Sequence, residues 1–322
     1  MRISVALCTY NGEKYIRQQL ESILNQSVAV SEVVIVDDCS SDATETVVLE
    51  MKTHYPQILK YFRNDTNLGF RSNFEKALTK CTGDYIFFSD QDDVWKENKV
   101  ERIIPFFEKS GMWGVFTNAD MIDERGQKVE GNLFDGLDVE KYLSQKTLSP
   151  DLYTMLNLNS NIVTGATLAI TKEAKSLVLP FKTSNHIYHD HYIALKLAAI
   201  NKFACLNENL ISYRIHSSQQ IGLGKNGEKR KSLYGMIDET DPKNKKGMKA
   251  LCEFIIFRRL WTAEIAKVCH LNNDERRLQK KKYDELLIPL LNSLRLDVRC
   301  ELWLRYLYTE YQAKKLYRTI DE

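Results

Sequence analysis

Residues 85–93 read Tyr-Ile-Phe-Phe-Ser-Asp-Gln-Asp-Asp, an apolar run that leads directly into three carboxylates. A short, uninterrupted apolar run predicts a strand buried on both faces, and such strands are typical of parallel sheets. Residues 33–38, Val-Val-Ile-Val-Asp-Asp, repeat the arrangement with a β-branched strand. Both segments therefore predict acidic side chains at the carboxyl ends of buried parallel strands, where sheets of this type bind their ligands.

The sequence around these two strands alternates between strand and helix patterns. Strand patterns occur also at 3–7, 59–62 and 162–170, and helix patterns occur at 15–24, 72–80 and 191–199. Strands and helices that alternate along a chain predict an α/β fold with a parallel, doubly wound sheet.

Composition and charge argue against several classes of protein. The chain is 43% hydrophobic and 27% charged, as is usual for a soluble globular protein. A formal net charge of +2 gives no reason to expect nucleic acid as a partner. No uncharged apolar run approaches the roughly 20 residues of a membrane-spanning helix. The seven cysteines contain no Cys-x-x-Cys pair, which favours reduced thiols in a cytoplasmic protein.

Asp90, Asp92 and Asp93 place three carboxylates within four residues. Such carboxylates repel one another unless a cation or hydrogen-bond donors offset them. Mg²⁺ and Mn²⁺ accept oxygen ligands and are commonly shared between carboxylates and substrate phosphates. A solvated acidic loop or a helix N-terminus produces the same pattern, so the cluster alone leaves both interpretations open.

Three further segments carry the same ambiguity. Asp37 and Asp38 suit hydrogen bonds to a nucleobase or ribose, but they equally suit a turn. Residues 9–12 offer backbone amides and a flat ring, or a strand-to-helix turn capped by asparagine. Asp190, between two histidines, suits either a helix cap or a general base that removes a proton from a hydroxyl.

Motifs of several other enzyme classes are absent. The sequence has no Gly-x-x-x-x-Gly-Lys loop, no Gly-x-Gly-x-x-Gly after the first strand, no Gly-x-Ser-x-Gly and no His-Glu-x-x-His. These absences argue against P-loop hydrolases, nicotinamide dehydrogenases, α/β-hydrolases and the common zinc peptidases.

Taken in order, the motifs resemble those of the large family-two inverting glycosyltransferases of GT-A fold. The matching segments are residues 6–12, 34–40, 67–69, 83–93, 164–167 and 189–191. The resemblance implies a Rossmann-like, mostly parallel mixed sheet flanked by helices. Residues 89–95 and 213–216 look most like bacterial rhamnosyltransferase-like members, although those usually carry Asn where this chain has Gln219.

The resemblance also implies roles for individual residues. The nucleotide-binding residues would be Thr9, Tyr10, Asn11, Asp37, Asp38, Asn67, Arg71, Asp90 and Gln91, although Arg71 could equally pair with a surface carboxylate. Asp92 and His216 would bind Mn²⁺ or Mg²⁺, and Asp190 would be the catalytic base. The acceptor side would comprise Trp95, Gly165, Ala166, Thr167, His189 and His191.

The activity implied is transfer of a sugar from a nucleotide-diphosphate donor to an acceptor hydroxyl, in bacterial surface polysaccharide or glycan assembly. The donor would be dTDP-rhamnose or a UDP-sugar, and the acceptor a saccharide or a lipid-linked glycan. One alternative is a nucleotidyltransferase. That class normally has a Gly-rich, basic N-terminal loop, which residues 8–14 of this chain do not provide. The other is a non-catalytic, sugar-nucleotide-binding or scaffold member, against which the intact Asp90, Asp92 and Asp190 argue.

We predict a catalytic domain over residues 1–223, with a nucleotide-binding half at 1–110 and an acceptor-side half at 111–223. A basic linker or mobile loop is predicted at 224–249, followed by a helical region at 250–322. Around 305–318 this helical region mixes aromatic and basic residues, which suits peripheral contact with the inner face of a membrane. The same composition suits a packed helical appendage or a homodimer contact.

Overall fold

The structure, a computed structural model, describes residues 1–137, 152–158, 161–181, 187–217, 219, 244–268, 273–292 and 296–321. Their contacts define two compact units. The first contains the described residues up to 137 and from 162 to 219, and the second contains those within 152–161 and from 244 onward. Most of the predicted linker at 224–249 lies outside the described residues, but a helix has already begun at Lys245.

The strands are β1 Ile3–Thr9, β2 Glu32–Asp37, β3 Leu59–Arg63, β4 Tyr85–Ser89, β5 Val94–Trp95, β6 Gly114–Ile122, β7 Lys128–Asn132, β8 Leu168–Thr171 and β9 Phe203–Arg214. The helices are α1 Ile16–Leu24, α2 Thr44–His54, α3 Phe70–Lys80, α4 Lys99–Ser110, α5 Leu133–Leu137, α6 Leu152–Leu158, α7 Lys172–Val178, α8 His189–Ala199, α9 Lys245–Val268, α10 Asn273–Asn292 and α11 Leu296–Asp321. Helices α6 and α9–α11 belong to the second unit.

The strands of the described residues form one mixed sheet in the order β3-β2-β1-β4-β8-β6-β9-β5, with β7 beside β6. Strands β1 to β4 are parallel, whereas β8 runs antiparallel to both β4 and β6. Every residue of β1 and β2 is buried, as expected for central strands covered by helices on both faces. The predicted α/β fold with a mostly parallel mixed sheet is confirmed.

The strand predicted at 162–170 is wrong over most of its length. Only β8 is extended, and residues 165–167 form a short 3₁₀ turn. Thr167 donates both its N–H and its hydroxyl to the carbonyl of Thr164, at 2.9 and 2.8 Å. The apolar pattern that resembled a strand arises because this turn is buried, not because it is extended.

The second unit is helical, with an apolar core shared by α9, α10 and α11. Its buried residues are Met248, Leu251, Cys252, Ile255, Ile256, Tyr283, Leu287, Leu291, Leu302 and Tyr306. The Tyr306 hydroxyl donates to Asp284 at 2.6 Å and accepts from Lys280 at 2.9 Å. No helix among the described residues is both long enough and apolar enough to cross a membrane.

Glu32, at the start of β2, holds three separate segments of the first unit together. Its carboxylate accepts hydrogen bonds from Ser4 on β1 at 2.5 Å, from the N–H and hydroxyl of Thr82 at 2.6 and 2.9 Å, and from Lys60 on β3. Burial raises the pKa of Glu32, but the hydrogen bonds from Lys60, Ser4 and Thr82 outweigh it and lower the pKa to about 2.

We expect Glu32→Gln to lower the free energy of unfolding by about 2 kcal/mol at neutral pH, because hydrogen bonds to a charged acceptor are stronger than those to an amide. Since the folded-state pKa lies below the ordinary 4.5, this contribution is present above pH 4.5 and is lost as the pH falls toward about 2. Urea titrations should show the difference between wild type and variant shrinking across that window. Glu97→Gln, an exposed control, should leave stability unchanged, and a pH-independent difference for Glu32→Gln would contradict the prediction.

Candidate active site

The carboxyl ends of β1, β2 and β4 meet at one edge of the sheet. Thr9 pairs with Asp37 across β1 and β2, and Leu7 pairs with Ser89 across β1 and β4. The polar residues that follow these strands therefore lie at one edge, as the sequence pattern predicts.

Gln91 connects the end of β4 to the turn that follows β1. Its Oε1 accepts from the Thr9 hydroxyl at 2.6 Å and from the Tyr10 N–H at 2.8 Å, and its Nε2 donates to the Tyr10 carbonyl at 3.1 Å. A Cβ at Gly12 would lie only 2.3 Å from the same Oε1, so a larger residue there would displace the Gln91 side chain. The structure thus places Thr9, Tyr10 and Gln91 together.

Asn11 and Asp37 shape the loop after β2. Asn11 has a left-handed backbone (φ 50°), and its side chain accepts from the Ser41 N–H at 2.8 Å. The Asp37 carboxylate accepts from the Ser40 N–H at 2.7 Å and from the Tyr61 hydroxyl at 2.8 Å. Both residues therefore act in this structure as the turn formers that the sequence left open as an alternative.

Asp38 orients the loop that precedes α3. Its Oδ1 accepts from Asn64 and from the Leu68 N–H, each at 2.8 Å, and its Oδ2 accepts from the Gly69 N–H at 2.8 Å. Asn67 is exposed, and its side chain accepts from the same Gly69 N–H at 3.1 Å. The role of Asp38 in nucleotide binding stays a prediction, and no sequence pattern indicates that it also positions this loop.

Burial and mutual repulsion disfavour the ionised carboxylates in the acidic segment after β4. Burial, together with the charges of Asp92 and Asp190, raises the pKa of Asp90 to about 7. Burial and the charges of Asp92 and Asp90 raise the pKa of Asp93 well above its ordinary value. Carboxylates this close to one another repel each other, so a nearby positive charge stabilises their ionised forms.

Lys99 supplies part of that positive charge, although no motif in the sequence marks this lysine. Its side chain is fully buried, with Nζ donating to the Ala166 carbonyl at 2.9 Å and lying 3.8 Å from the centroid of the Trp95 ring. Burial lowers the pKa of Lys99 to about 7, while Asp93 and Asp90 act in the opposite direction. Trp95, predicted on the acceptor side, is buried in the core beneath this ammonium group.

Asp92 and His216 lie in contact although 124 residues separate them in the sequence, and their role as metal ligands stays a prediction. The distance from His216 Nε2 to Asp92 Oδ2 is 2.9 Å, and the His216 ring lies 5.1 Å from that of Tyr15. The Gln219 side chain donates to the Arg214 carbonyl and so helps to hold the His216 turn. Among the described residues, no group of three or more His, Cys, Asp or Glu side chains is arranged to hold a metal by itself.

Arg214 fixes the backbone on which this pair depends. Its N–H donates to the Asp93 carboxylate at 2.9 Å, and its guanidinium donates to the Asp92 carbonyl at 2.6 Å, to Gln18 at 2.7 Å and to the Asp123 carbonyl at 3.2 Å. The sequence pattern at 213–216 contained this arginine, but only its histidine was assigned a role. A buried arginine is recognisable only once its partners are known.

Asp190 lies in the first turn of α8 and is nearly buried. Its Oδ1 accepts from the N–H of His191 at 2.6 Å. A Cβ on Gly165 would lie 3.0 Å from His189 Nε2 and 3.9 Å from Asp190 Oδ2. The structure therefore brings together residues predicted for the acceptor side, and the charge of Asp190 also reaches Asp90.

Arg71 lies among aromatic rings near α8. Its guanidinium carbon is 5.7 Å from the centroid of the Phe70 ring and 5.8 Å from that of Tyr188. Its charge contributes, after burial, to the lowered pKa of His189, so the two side chains are close. The predicted contact between Arg71 and a diphosphate stays a prediction.

Residues 4–169 match glycosyl transferase family 2. The chain belongs to this family. An uncharacterized glycosyltransferase of Nostoc sp. is 30% identical over 222 residues, which make up 68% of this chain and 66% of that relative. The chain thus spans just under two thirds of that family member.

Two solved structures share the fold of this family member. One is S. aureus TarS in complex with UDP-GlcNAc, with a TM-score of 0.53 and 18% identity over 99% of this chain and 90% of that one. The other is the mannosyltransferase PcManGT of Pyrobaculum calidifontis in complex with GDP-Man and Mn²⁺, with a TM-score of 0.50 and 15% identity over 98% and 87%. The GT-A-type fold is confirmed, whereas the rhamnosyltransferase-like branch stays a prediction.

We expect Lys99→Met to lower the free energy of unfolding by roughly 3 kcal/mol, because it leaves the buried Asp90 and Asp93 without a cation that offsets them. Lys96→Met removes a surface ion pair with Asp120 (2.8 Å) from the same segment and should cost less than about 1 kcal/mol. Guanidinium titrations of both variants measure the difference. Equal losses would show that Lys99 does not balance the acidic segment.

Proposed function

We propose that this protein is an inverting glycosyltransferase that moves a sugar from a nucleotide-diphosphate donor to an acceptor hydroxyl. The observation that supports this most strongly is the position of Asp190. It is a nearly buried carboxylate whose charge acts on Asp90 at the edge of the sheet, where Asp92 contacts His216. A base, acidic residues and an imidazole thus converge on the site where an α/β sheet binds its ligands.

The residues present fit a divalent cation. Asp92 and His216 already contact each other at 2.9 Å, and burial together with the neighbouring carboxylates raises the pKa values of Asp90 and Asp93. Carboxylate oxygens and a neutral imidazole are ligands that Mn²⁺ accepts, with the donor phosphates completing the coordination. Asp92 and His216 would hold Mn²⁺ or Mg²⁺, which when bound neutralises charge on the departing diphosphate.

The reaction follows from the placement of Asp190. Its carboxylate takes the proton of the acceptor hydroxyl as the hydroxyl oxygen forms a bond to the anomeric carbon. The bond from that carbon to the diphosphate oxygen breaks on the opposite face, and its electron pair leaves with the nucleoside diphosphate. A single displacement inverts the anomeric configuration without a covalent intermediate on the enzyme.

The donor side would be formed by the loops that Gln91, Asn11 and Asp38 hold in place. Thr9, Asp37 and Asp90 at the strand ends would line the base and ribose, with Asn67 and Arg71 nearer the diphosphate. UDP-GlcNAc in TarS and GDP-Man in PcManGT are donors of fold relatives. For this chain we propose dTDP-rhamnose or a UDP-sugar, used in bacterial surface polysaccharide or glycan assembly on a saccharide or lipid-linked acceptor.

We also propose that α11 rests on the cytoplasmic face of a membrane. Leu304, Leu307, Tyr308 and Tyr311 follow the spacing of one helical face, and each is between 57% and 69% exposed. Lys315 and Arg318 follow these residues in the sequence. An apolar and aromatic stripe followed in the sequence by cations suits the surface of an anionic bilayer.

The donor site is tested by thermal melting with UDP, dTDP and GDP, each with and without Mn²⁺. A nucleotide at 100 times its Kd should raise the Tm by roughly 5–10 °C, because it binds only the folded state. Asp92→Ala should abolish the Mn²⁺-dependent part of the shift. Asp190→Asn should retain the shift but reduce the release of nucleoside diphosphate from the matching sugar nucleotide by at least about 100-fold.

The matched control is Asp65→Asn, an exposed carboxylate after β3 that should change neither binding nor turnover. If no nucleoside diphosphate shifts the Tm of the wild type, the transferase proposal is wrong. Binding without turnover in the wild type would favour a scaffold protein instead.

The membrane contact is tested by sedimentation with vesicles that contain phosphatidylserine, at low salt. Changing Leu304, Leu307 and Tyr311 together to Ser should weaken partitioning by at least roughly 10-fold, because each of these side chains loses apolar area that the bilayer would cover. Leu49→Ser, an exposed leucine on α2, is the control. Wild-type partitioning by the triple variant, or a dimer that the triple variant disrupts in the absence of vesicles, would overturn the proposal.

A further inference from the structure

The imidazole of His189 is buried at the start of α8. The residue is 5% exposed, and neither Nδ1 nor Nε2 has a partner among the described residues. Buried polar atoms in folded proteins nearly always find partners, so an orphaned imidazole beside a proposed catalytic base calls for an explanation.

Aromatic rings fix the orientation of this imidazole. It stacks on Phe74 with centroids 4.1 Å apart and planes tilted by 19°, and it faces Phe88 at 6.0 Å and the edge of Phe70 at 6.2 Å. Burial, with a smaller contribution from Arg71, lowers the pKa of His189 to about 3. The ring is therefore neutral near pH 7, and it offers one N–H donor and one nitrogen acceptor.

Gly165 brings the backbone close to both His189 and Asp190. A Cβ at this position would lie 3.0 Å from His189 Nε2 and 3.9 Å from Asp190 Oδ2, so the imidazole nitrogen and the carboxylate approach the same point. The 165–167 turn is held there by the bond from Lys99 to the Ala166 carbonyl.

We propose that His189 is a specificity-determining residue that hydrogen-bonds a second hydroxyl of the acceptor saccharide, close to the hydroxyl that Asp190 deprotonates. The inference rests on the proposed transferase function. A sugar hydroxyl both donates and accepts hydrogen bonds, which matches a neutral imidazole held at a fixed angle. The ligand hydroxyl would provide the hydrogen-bond partner that no described residue provides for this ring.

The test compares His189→Phe with the wild type. Phenylalanine keeps a flat ring for the stack on Phe74 but removes both nitrogens. We expect the Tm to stay the same or to rise, because the buried polar atoms without partners are gone. Binding of UDP, dTDP or GDP with Mn²⁺ should not change, whereas kcat/KM for transfer to soluble methyl glycosides should fall roughly 10-fold, which corresponds to about 1.4 kcal/mol.

Two further variants separate specificity from structure. His189→Gln retains a donor and an acceptor and should recover part of the lost kcat/KM. His54→Phe, at an exposed histidine on α2, should match the wild type in every assay. Among deoxy analogues of the glycoside, the one that lacks the contacted hydroxyl should react more slowly than the parent glycoside with the wild type. With His189→Phe, this analogue and the parent glycoside should react at the same rate.

Hydrolysis of the sugar nucleotide by water, which involves no acceptor sugar, provides a second readout. If His189→Phe slows only transfer, the contacted hydroxyl belongs to the acceptor and the inference is supported. If hydrolysis slows as much as transfer, the inference is overturned. A fall in the Tm of His189→Phe, or wild-type kcat/KM, would overturn the inference alone. A wild type that binds no nucleoside diphosphate would overturn the proposed function with it.

Discussion

Negative charge crowded behind the carboxyl end of β4 is the constraint around which the first unit is built. Burial and mutual repulsion raise the pKa values of Asp90 and Asp93, and Lys99 is buried with them as a counter-charge. The same ammonium group holds the Ala166 carbonyl. One cation therefore connects the acidic segment to the turn that faces Asp190, so the metal side and the base side of the proposed site depend on each other.

Adjacent residues in the acidic segment have different tasks. The carboxylate of Asp93 is directed to the N–H of Arg214, and the backbone carbonyl of Asp92 is directed to the guanidinium of that arginine. These bonds leave the Asp92 carboxylate turned toward His216. Arg214 thus sets the geometry without being part of the proposed metal site, because its donors act mainly on backbone groups.

The donor side follows a similar principle, in which polar side chains at the strand ends first organise the loops around them. Gln91 ties the turn after β1 to β4, and Asp38 holds the loop before α3. A nucleotide would thus meet loops that are already positioned by buried hydrogen bonds, which reduces the conformational entropy lost on binding.

The sequence by itself determined the α/β sheet and the acidic residues at its carboxyl edge, because apolar runs and their periodicity report local structure directly. The family was indicated by the resemblance of its ordered motifs. The resemblance also assigned Asp92 and His216 to a metal site and Asp190 to the catalytic base, and these roles stay predictions. Only the tertiary structure showed that Lys99 and Arg214 are buried, and that His189 packs against Phe70, Phe74 and Phe88. Each of these side chains depends on partners far away in the chain, and a charged or polar residue in a helix or strand pattern is ordinarily expected to face solvent. Whether it faces solvent or a buried carboxylate is decided by packing, which no local pattern encodes.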